Sequence, residues 1–472
     1  MDSGTTRWTS AQRWVVGLTA IAGLMLSLDA LVVSTALSTI RLDLGASLEQ
    51  LEWTVNAYTL SFAVLLMTAA GLGDRFGRRR VFIVGLSLFA AASAGCALAP
   101  DAGWLIAGRA IQGAGAAAAM PLSLTLLSGA FPPERRAKAL GIFTAVVGAG
   151  VPLGPVVGGA VVDGVSWPWI FWVNVPIALV LIPLARVRLE ESRGADAALD
   201  LPGLALVTAA ALGIVWGLVR GNSVGWGSVE VVSALALGVL LSVGFVAWEL
   251  RAREPMLPMS LFRLRPFAGG NAAIFFLWGS AFGAVFFVAQ FLQATLGFTP
   301  LETGVRLIPW GAVTIIVPRF AGALIPRFGE RPFVVAGMFL HAAAMAWIAL
   351  IAEPGLAYGS MVAPLILSGA GIAMAIPATQ SAVLSSVAPR FIGKASGTFS
   401  TSRQLGGAFG VAVLVAVFAA SGSYGSAAAF SDGFAPALAA SAALALGGAA
   451  AGIWLPGRVL TSLLHRVIAY DG

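Results

Sequence analysis

An aspartate, Asp29, and an arginine, Arg109, each stand inside a stretch of otherwise apolar sequence. An ionisable side chain at bilayer depth is expensive, so such a group faces a cavity or a partner and marks a functional site. Desolvation raises a carboxyl pKa and a neighbouring cation lowers it, so a buried Asp beside an Arg can be poised to bind and release a proton. Asp29 is the one carboxylate clearly inside an apolar stretch, which makes it the candidate proton-binding group. Other chemistries find no foothold. No Walker-type phosphate loop, metal-ligand cluster, Rossmann fingerprint or nucleophile elbow stands in a sensible context. The chain is expected not to be an enzyme and to carry no cofactor or metal. The single cysteine, Cys96, sits in an apolar stretch and permits no intramolecular disulfide.

Such charges need a membrane-embedded scaffold, and the composition supplies one. A soluble domain is about half apolar and a quarter charged. Here 58% of residues are apolar and 10% charged, with a mean hydropathy of +0.91. A span needs about 20 mostly apolar residues. Fourteen fit, at 14–38, 53–73, 80–99, 104–129, 138–162, 168–185, 201–220, 229–249, 268–293, 303–326, 332–352, 359–385, 395–420 and 435–456. Positive charge gathers in every second connection: Arg75 and Arg78 to Arg80, then Arg135, Arg136 and Lys138, then Arg186, Arg188 and Arg193. Arg251, Arg253, Arg263 and Arg265 follow, then Arg327 and Arg331, then Arg390 and Lys394. The alternate connections hold only Arg41, with Arg220 and Arg306 at their borders. By the positive-inside rule both termini are expected in the cytoplasm. The basic balance is thus a topology signal, and no nucleic-acid partner is expected. The first span is too long for a cleaved signal peptide and contains Asp29.

An internal repeat divides the chain. Leu72-Gly73-Asp74-Arg75-Phe76-Gly77-Arg78-Arg79 recurs as Leu324-Ile325-Pro326-Arg327-Phe328-Gly329-Glu330-Arg331. Both copies leave an even-numbered span on the same side. An all-α membrane protein of two six-helix bundles is expected, 1–190 and 263–472, with two inserted helices in a linker at 191–262. In transporters built from such repeats, the substrate site lies near the midplane where the halves meet.

Four motifs, with a sixth-span signature, resemble those of the major facilitator superfamily, and within it the fourteen-span drug:proton antiporter family. They are Leu28-Asp29-Ala30-Leu31-Val32-Val33-Ser34-Thr35-Ala36-Leu37 in the first span, the loop motif from Ala70 to Arg79, Arg109-Ala110-Ile111-Gln112-Gly113-Ala114-Gly115 in the fourth span, and Gly150-Val151-Pro152-Leu153-Gly154-Pro155-Val156-Val157-Gly158-Gly159 in the fifth. Trp169-Ile170-Phe171-Trp172-Val173-Asn174-Val175-Pro176 is the sixth-span signature of the fourteen-span group.

The resemblance implies roles for these residues. Asp29 and Arg109 would line one cavity, Asp29 carrying a proton and contacting cationic substrate. Gly73, Asp74, Arg75, Gly77 and Arg78 would form a gate at the cytoplasmic edge, Asp74 engaging the positive N-terminus of a helix that begins near Ala395. Arg79 and Arg80 are read as plain anchors. The second copy has Pro326 in place of Asp74, so the halves would be gated unequally. Gly150, Gly154 and Gly158 make a small-residue stripe that admits a close helix, with Gly159 beside it and Pro155 bending the helix locally, sealing the outer side as in exporters. Met25, Trp53, Asn56, Tyr58, Gln112, Phe275, Trp278, Phe282, Gln380, Arg403 and Gln404 are candidate linings of the cavity, where aromatics and Met offer soft contacts to varied lipophilic molecules. Arg319 would snorkel to the cytoplasm, and His341 is read as structural.

The expected function is proton-coupled efflux of lipophilic or cationic drugs or antibiotics across the cytoplasmic membrane by alternating access, in a chain working as a monomer. A dedicated exporter of one natural product, siderophore or lipid, or a non-transporting sensor on the same frame, are the alternatives.

Overall fold

The computed structural model describes residues 8–194, 199–388 and 391–455. Among them, fourteen helices are long and apolar enough to cross a membrane. They are α1 (Ser10–Leu44), α2 (Leu48–Phe76), α3 (Arg78–Ala97), α4 (Ala102–Gly129), α5 (Pro133–Gly164), α6 (Trp169–Arg188) and α7 (Leu201–Val224). Then come α8 (Val229–Glu249), α9 (Arg265–Ala294), α10 (Pro300–Phe328), α11 (Glu330–Ile351), α12 (Gly359–Ser385), α13 (Ile392–Ser421) and α14 (Ala427–Ile453). All fourteen expected spans have their helix, but several helices overrun the apolar stretch. α1 ends at Leu44 and not 38, α2 starts at Leu48 and not 53, and α14 starts at Ala427 and not 435. Gly45, left-handed at φ 59°, closes α1 at Leu44, and polar caps set the helix starts. Thr9 and Gln12 close a capping box on α1, Ser47 and Gln50 close another on α2, and the Ser426 hydroxyl accepts from Ala429 N at the start of α14. Arg390 lies outside the described residues.

Helices α1–α6 pack on one another, as do α9–α14. The inserted α7–α8 hairpin stands against α2 and α13, one from each group. Val215 and Val219 of α7 join Leu60 and Val64 of α2 and Ala412 of α13 in one apolar cluster. Asn222 donates to the Ala416 carbonyl, and Arg220 bridges Glu49 of α2 at 3.3 Å and Glu230 of α8 at 2.9 Å. The hairpin therefore covers the α2–α13 seam.

The repeat has a structural counterpart. α2 turns into α3 at Gly77 (φ 111°) and α10 into α11 at Gly329 (φ 82°), a backbone region that favours glycine. Because successive helices reverse direction, connections such as 45–47, 165–168, 295–299 and 422–426 share one end of the bundle, poor in Arg. The opposite end is the Arg-rich one.

Candidate functional site

Asp29 lies midway along α1, and both of its oxygens are bonded. Oδ2 accepts from Arg109 Nη1 of α4 at 2.6 Å. Oδ1 accepts from Gln112 Nε2 at 2.8 Å and from Asn174 Nδ2 of α6 at 2.9 Å. Gln112 also takes Arg109 Nη1 on its own oxygen at 2.6 Å and donates to Ser93 Oγ of α3 at 2.7 Å. Arg109 Nε reaches the Thr54 carbonyl of α2 at 3.2 Å, and the guanidinium lies over the Tyr58 ring, 4.2 Å from its centroid. Five helices thus close a polar knot round one ion pair. Asp29 and Arg109 are each 1% exposed. The charges compensate each other and their hydrogen-bonding capacity is largely met, which is the condition for burying an ion pair at tolerable cost.

The pair expected from the sequence is therefore formed, but its surroundings differ from the expectation. The hydrogen-bond partners of Asp29 belong to α4 and α6 of its own half, and in this conformation its carboxylate is fully buried. Gln112 and Tyr58, expected to line a cavity, are instead buried within the knot, and Asn56 and Met25 are buried as well. Ser93 and Asn174 had no assigned role in the sequence. Glu52 was overlooked as a second intramembrane carboxylate. It sits in the second turn of α2 at 0% exposure, with Oε1 accepting from Asn56 Nδ2 at 3.4 Å and Oε2 without a partner. An apolar window beginning at 53 excluded it.

The second half holds a neutral counterpart. Ser280 Oγ of α9 contacts His341 Nε2 of α11 at 2.8 Å and Ser441 Oγ of α14 at 2.7 Å, while His341 Nδ1 meets Ser368 Oγ of α12 at 2.9 Å. The first, third, fourth and sixth helices of each group contribute to both knots, and in the first half the second helix joins them through Thr54 and Tyr58.

The fifth-span glycines act on two partners. A Cβ at Gly150 or Gly154 would fall 2.9 Å from Ser27 Cβ or Leu31 Cβ, and at Gly158 2.7 Å from the Val32 carbonyl, all on α1. Gly159 abuts Pro300 and Leu301, Pro155 abuts Gly304, and Pro152 abuts Gly311, all on α10. The helix runs unbroken through Pro152 and Pro155. Further bonds cross between the halves at this Arg-poor end: Leu301 N to Asp163 Oδ2 at 3.0 Å, and Gln293 Nε2 of α9 to the Thr35 carbonyl of α1 at 2.9 Å. Toward the Arg-rich end the same two helices show exposed faces, at Ile142 and Thr144 on α5 and at Ile315, Ile316, Arg319 and Phe320 on α10. A Cβ at Gly141, Gly148 or Gly322 would meet nothing within 4 Å. The α5–α10 seam is closed at one end only.

At the Arg-rich end the loop motif is tied within its own half. Asp74 Oδ1 accepts from Arg78 Nε at 2.8 Å, and the Asp74 carbonyl accepts from Gly194 N at 3.1 Å. Arg75 lies over the Phe76 ring, 5.5 Å from its centroid. Among the described residues, the expected engagement of Asp74 with the N-terminus of α13 is not made. That helix begins at Ile392, and its Lys394 Nζ bonds to the Pro255 carbonyl at 2.7 Å. Arg79 is more than an anchor: Nη1 caps α6 through the Arg186 and Leu189 carbonyls at 3.1 and 3.0 Å, and its backbone N–H meets Glu191 Oε1 at 3.0 Å.

Of the remaining cavity candidates, Trp53 pairs with Trp216 of the inserted hairpin, ring centroids 5.8 Å apart, and so belongs to the α2–α7 contact. Gln380 is exposed and Gln404 buried. Phe275, Trp278 and Phe282 form a half-buried stripe along one face of α9, with Arg403 of α13 over the Trp278 ring at 5.1 Å.

Comparison with known proteins agrees with this architecture. The chain is 36% identical to the tetracenomycin C resistance and export protein of Streptomyces glaucescens over 84% of its own length and 74% of the relative's. It is 35% identical to the puromycin resistance protein of Streptomyces alboniger (88% and 83% covered) and to the cephamycin export protein of Amycolatopsis lactamdurans (88% and 87%). Among solved structures, a POT family transporter in complex with 5-aminolevulinic acid shares the fold at a TM-score of 0.69 and 13% identity, covering 91% of this chain and 94% of that one. The human organic anion transporter MFSD10 does so at 0.60 and 17%, covering 93% and 99%. Residues 19–411 match the model of the Major Facilitator Superfamily. With fourteen apolar helices in two packed groups and such relatives, the chain is a multi-pass membrane transporter and no enzyme, and it belongs to the Major Facilitator Superfamily.

Proposed function

We propose that this protein exports lipophilic small molecules, drugs and natural-product antibiotics among them, across the cytoplasmic membrane in exchange for protons. The observation that carries the coupling is the ion pair of Asp29 and Arg109, sealed in the first half by hydrogen bonds from α4 and α6. A carboxylate held this way binds a proton only when the cation moves off or water enters, so protonation is tied to a rearrangement of α1 against α4. Asp29 thereby acts on cargo through helix movement and not through direct contact in the closed state. The proposed orientation puts the Arg-rich end in the cytoplasm. The one-sided closure of α5 on α10 then makes this the state closed to the outside, which is the state an exporter needs when loading cargo.

The test is dye efflux from whole cells, with ethidium and fluorescein followed separately. Wild type extrudes at least one dye, a protonophore abolishes this, and Asp29→Asn, checked for expression and elution as a folded protein, does not export. Export by Asp29→Asn at the wild-type rate would remove the coupling role, and export insensitive to the protonophore would remove the exchange altogether. A dedicated exporter of one natural product is the second reading, favoured by relatives named for tetracenomycin C and cephamycin export.

A further inference from the structure

Arg403 is a cation without a counter-charge. It stands eleven residues into α13, about 16 Å along the helix from its nearer end. Its guanidinium lies over the Trp278 ring at 5.1 Å, and Trp278 packs on Phe282 with ring centroids 4.8 Å apart. Yet neither Arg403 Nε nor Trp278 Nε1 has a hydrogen-bond acceptor, although both atoms are buried. Among the described residues no carboxylate comes within salt-bridge distance of Arg403. The described acidic residues of the second half all lie near helix ends or in a connection. Glu302 and Glu330 open α10 and α11, Glu353 lies in a connection, and Asp432 is in the second turn of α14.

The position of this pair fits a cargo site. Phe275, Trp278 and Phe282 share one face of α9 and are half-buried at mid-helix. Gln293, three turns further along the same face, bonds to Thr35 of α1, so this face looks across to the first half. On α13, Thr401 Oγ1 donates to the Ala63 carbonyl of α2 at 3.4 Å, so Arg403 also stands beside the junction of the halves. Arginine and tryptophan side chains are donors only. Two orphan donors, one of them permanently charged, call for an acceptor with negative charge. The neighbouring aromatic faces call for a flat apolar body.

We propose that Arg403 and Trp278 form the subsite for the acidic group of an aromatic cargo, the guanidinium fork taking a carboxylate while Phe275 and Phe282 hold the ring system. This rests on the export reading and narrows its cargo from lipophilic small molecules to lipophilic acids. The acid brings the counter-charge that no described carboxylate gives Arg403, and a planar fork binds carboxylate in two parallel bonds where lysine offers a point charge.

The test is equilibrium binding of pyrene-1-carboxylate and, separately, pyrenemethylammonium to the full-length protein in lipid nanodiscs, with empty discs subtracted. Wild type is expected to prefer the carboxylate by about tenfold or more. Arg403→Gln loses that preference by weakening the acid and not the amine, Arg403→Lys retains part of it, and Trp278→Phe weakens the acid alone. No preference in wild type overturns the proposal, as does a preference that survives Arg403→Gln. Equal losses for both probes in Trp278→Phe overturn it as well, and that variant serves should Arg403→Gln fail to fold. A clear preference without protonophore-sensitive efflux would sink the export reading alone, and efflux without a preference would sink this proposal alone.

Discussion

Asp29 and Arg109 are better regarded as one object than as two residues. Taking either charge from its partner leaves the other buried and uncompensated, at a cost of about 3–5 kcal/mol, whereas removing both leaves hydrogen-bonding groups that can repair among themselves. Asp29→Asn should therefore lower the unfolding temperature of the purified protein markedly, because Arg109 stays charged at 1% exposure. The double variant Asp29→Asn with Arg109→Gln should recover much of that loss without recovering protonophore-sensitive efflux. Thermal unfolding of the four proteins in a double-mutant cycle checks the first statement and transport the second; additive losses in stability would mean that the two groups do not sense each other. The sequence displayed this pair openly, since a lone acid and a lone base in apolar stretches stand out against hydropathy. It did not display Ser93 or Asn174, which are ordinary polar residues until folding brings α3 and α6 onto α1. Glu52 escaped for a different reason. The apolar window began one residue after it, while the helix starts at Leu48, capped by Ser47.

Helix α5 does its work through what it lacks. Side chains are absent at Gly150, Gly154, Gly158 and Gly159, so backbone meets α1 on one side and α10 on the other. α10 answers with its own glycines, and a methyl carbon at Gly304 would lie 2.8 Å from Val156 Cα and nearer still to the Pro155 carbonyl. Overpacking of this kind costs about 1–3 kcal/mol. Because the clash exists only where α5 and α10 are closed, the cost falls on that state, and Gly304→Ala should shift the balance toward the open Arg-poor end by about tenfold or more. Spin labels on cysteines at Val165 and Ala294, in a background of Cys96→Ala, report it as a longer inter-label distance; an unchanged distance distribution would mean that the seam is not the gate. The glycine stripe was legible in the sequence, and its need for a close neighbour followed from spacing. Which helices fill that need was not, because α1 and α10 reach α5 from opposite halves of the chain. The inserted hairpin was legible as two spans, but its seat on α2 and α13 depends on Asn222 and Arg220, whose partners no local pattern marks.

Over the whole molecule, the two halves repeat one plan with different charge. Each ties its first, third, fourth and sixth helices by a polar knot, ionic round Asp29 and neutral round His341. On the proposed export reading, a tied core in each half lets the halves move as bodies, with the change falling at the α2–α13 and α5–α10 seams. The repeat motif predicted the two-part plan, and the turns at Gly77 and Gly329 carry it into the backbone. Closure at the Arg-poor end, by Leu301 on Asp163 and Gln293 on Thr35, has a meaning only once the ends are assigned to compartments. The proposed orientation makes that assignment, resting on the tendency of Arg and Lys beside short loops to stay on the cytoplasmic side. Gly227 lies in an exposed connection at the Arg-poor end, and Glu190 is exposed at the Arg-rich end. In a background of Cys96→Ala, a cysteine at Gly227 should react in intact cells with a maleimide that cannot cross the membrane. A cysteine at Glu190 should react only after the cells are permeabilised. The reverse pattern would turn the molecule over, and the closed seam would then face the cytoplasm, making this the cargo-releasing state.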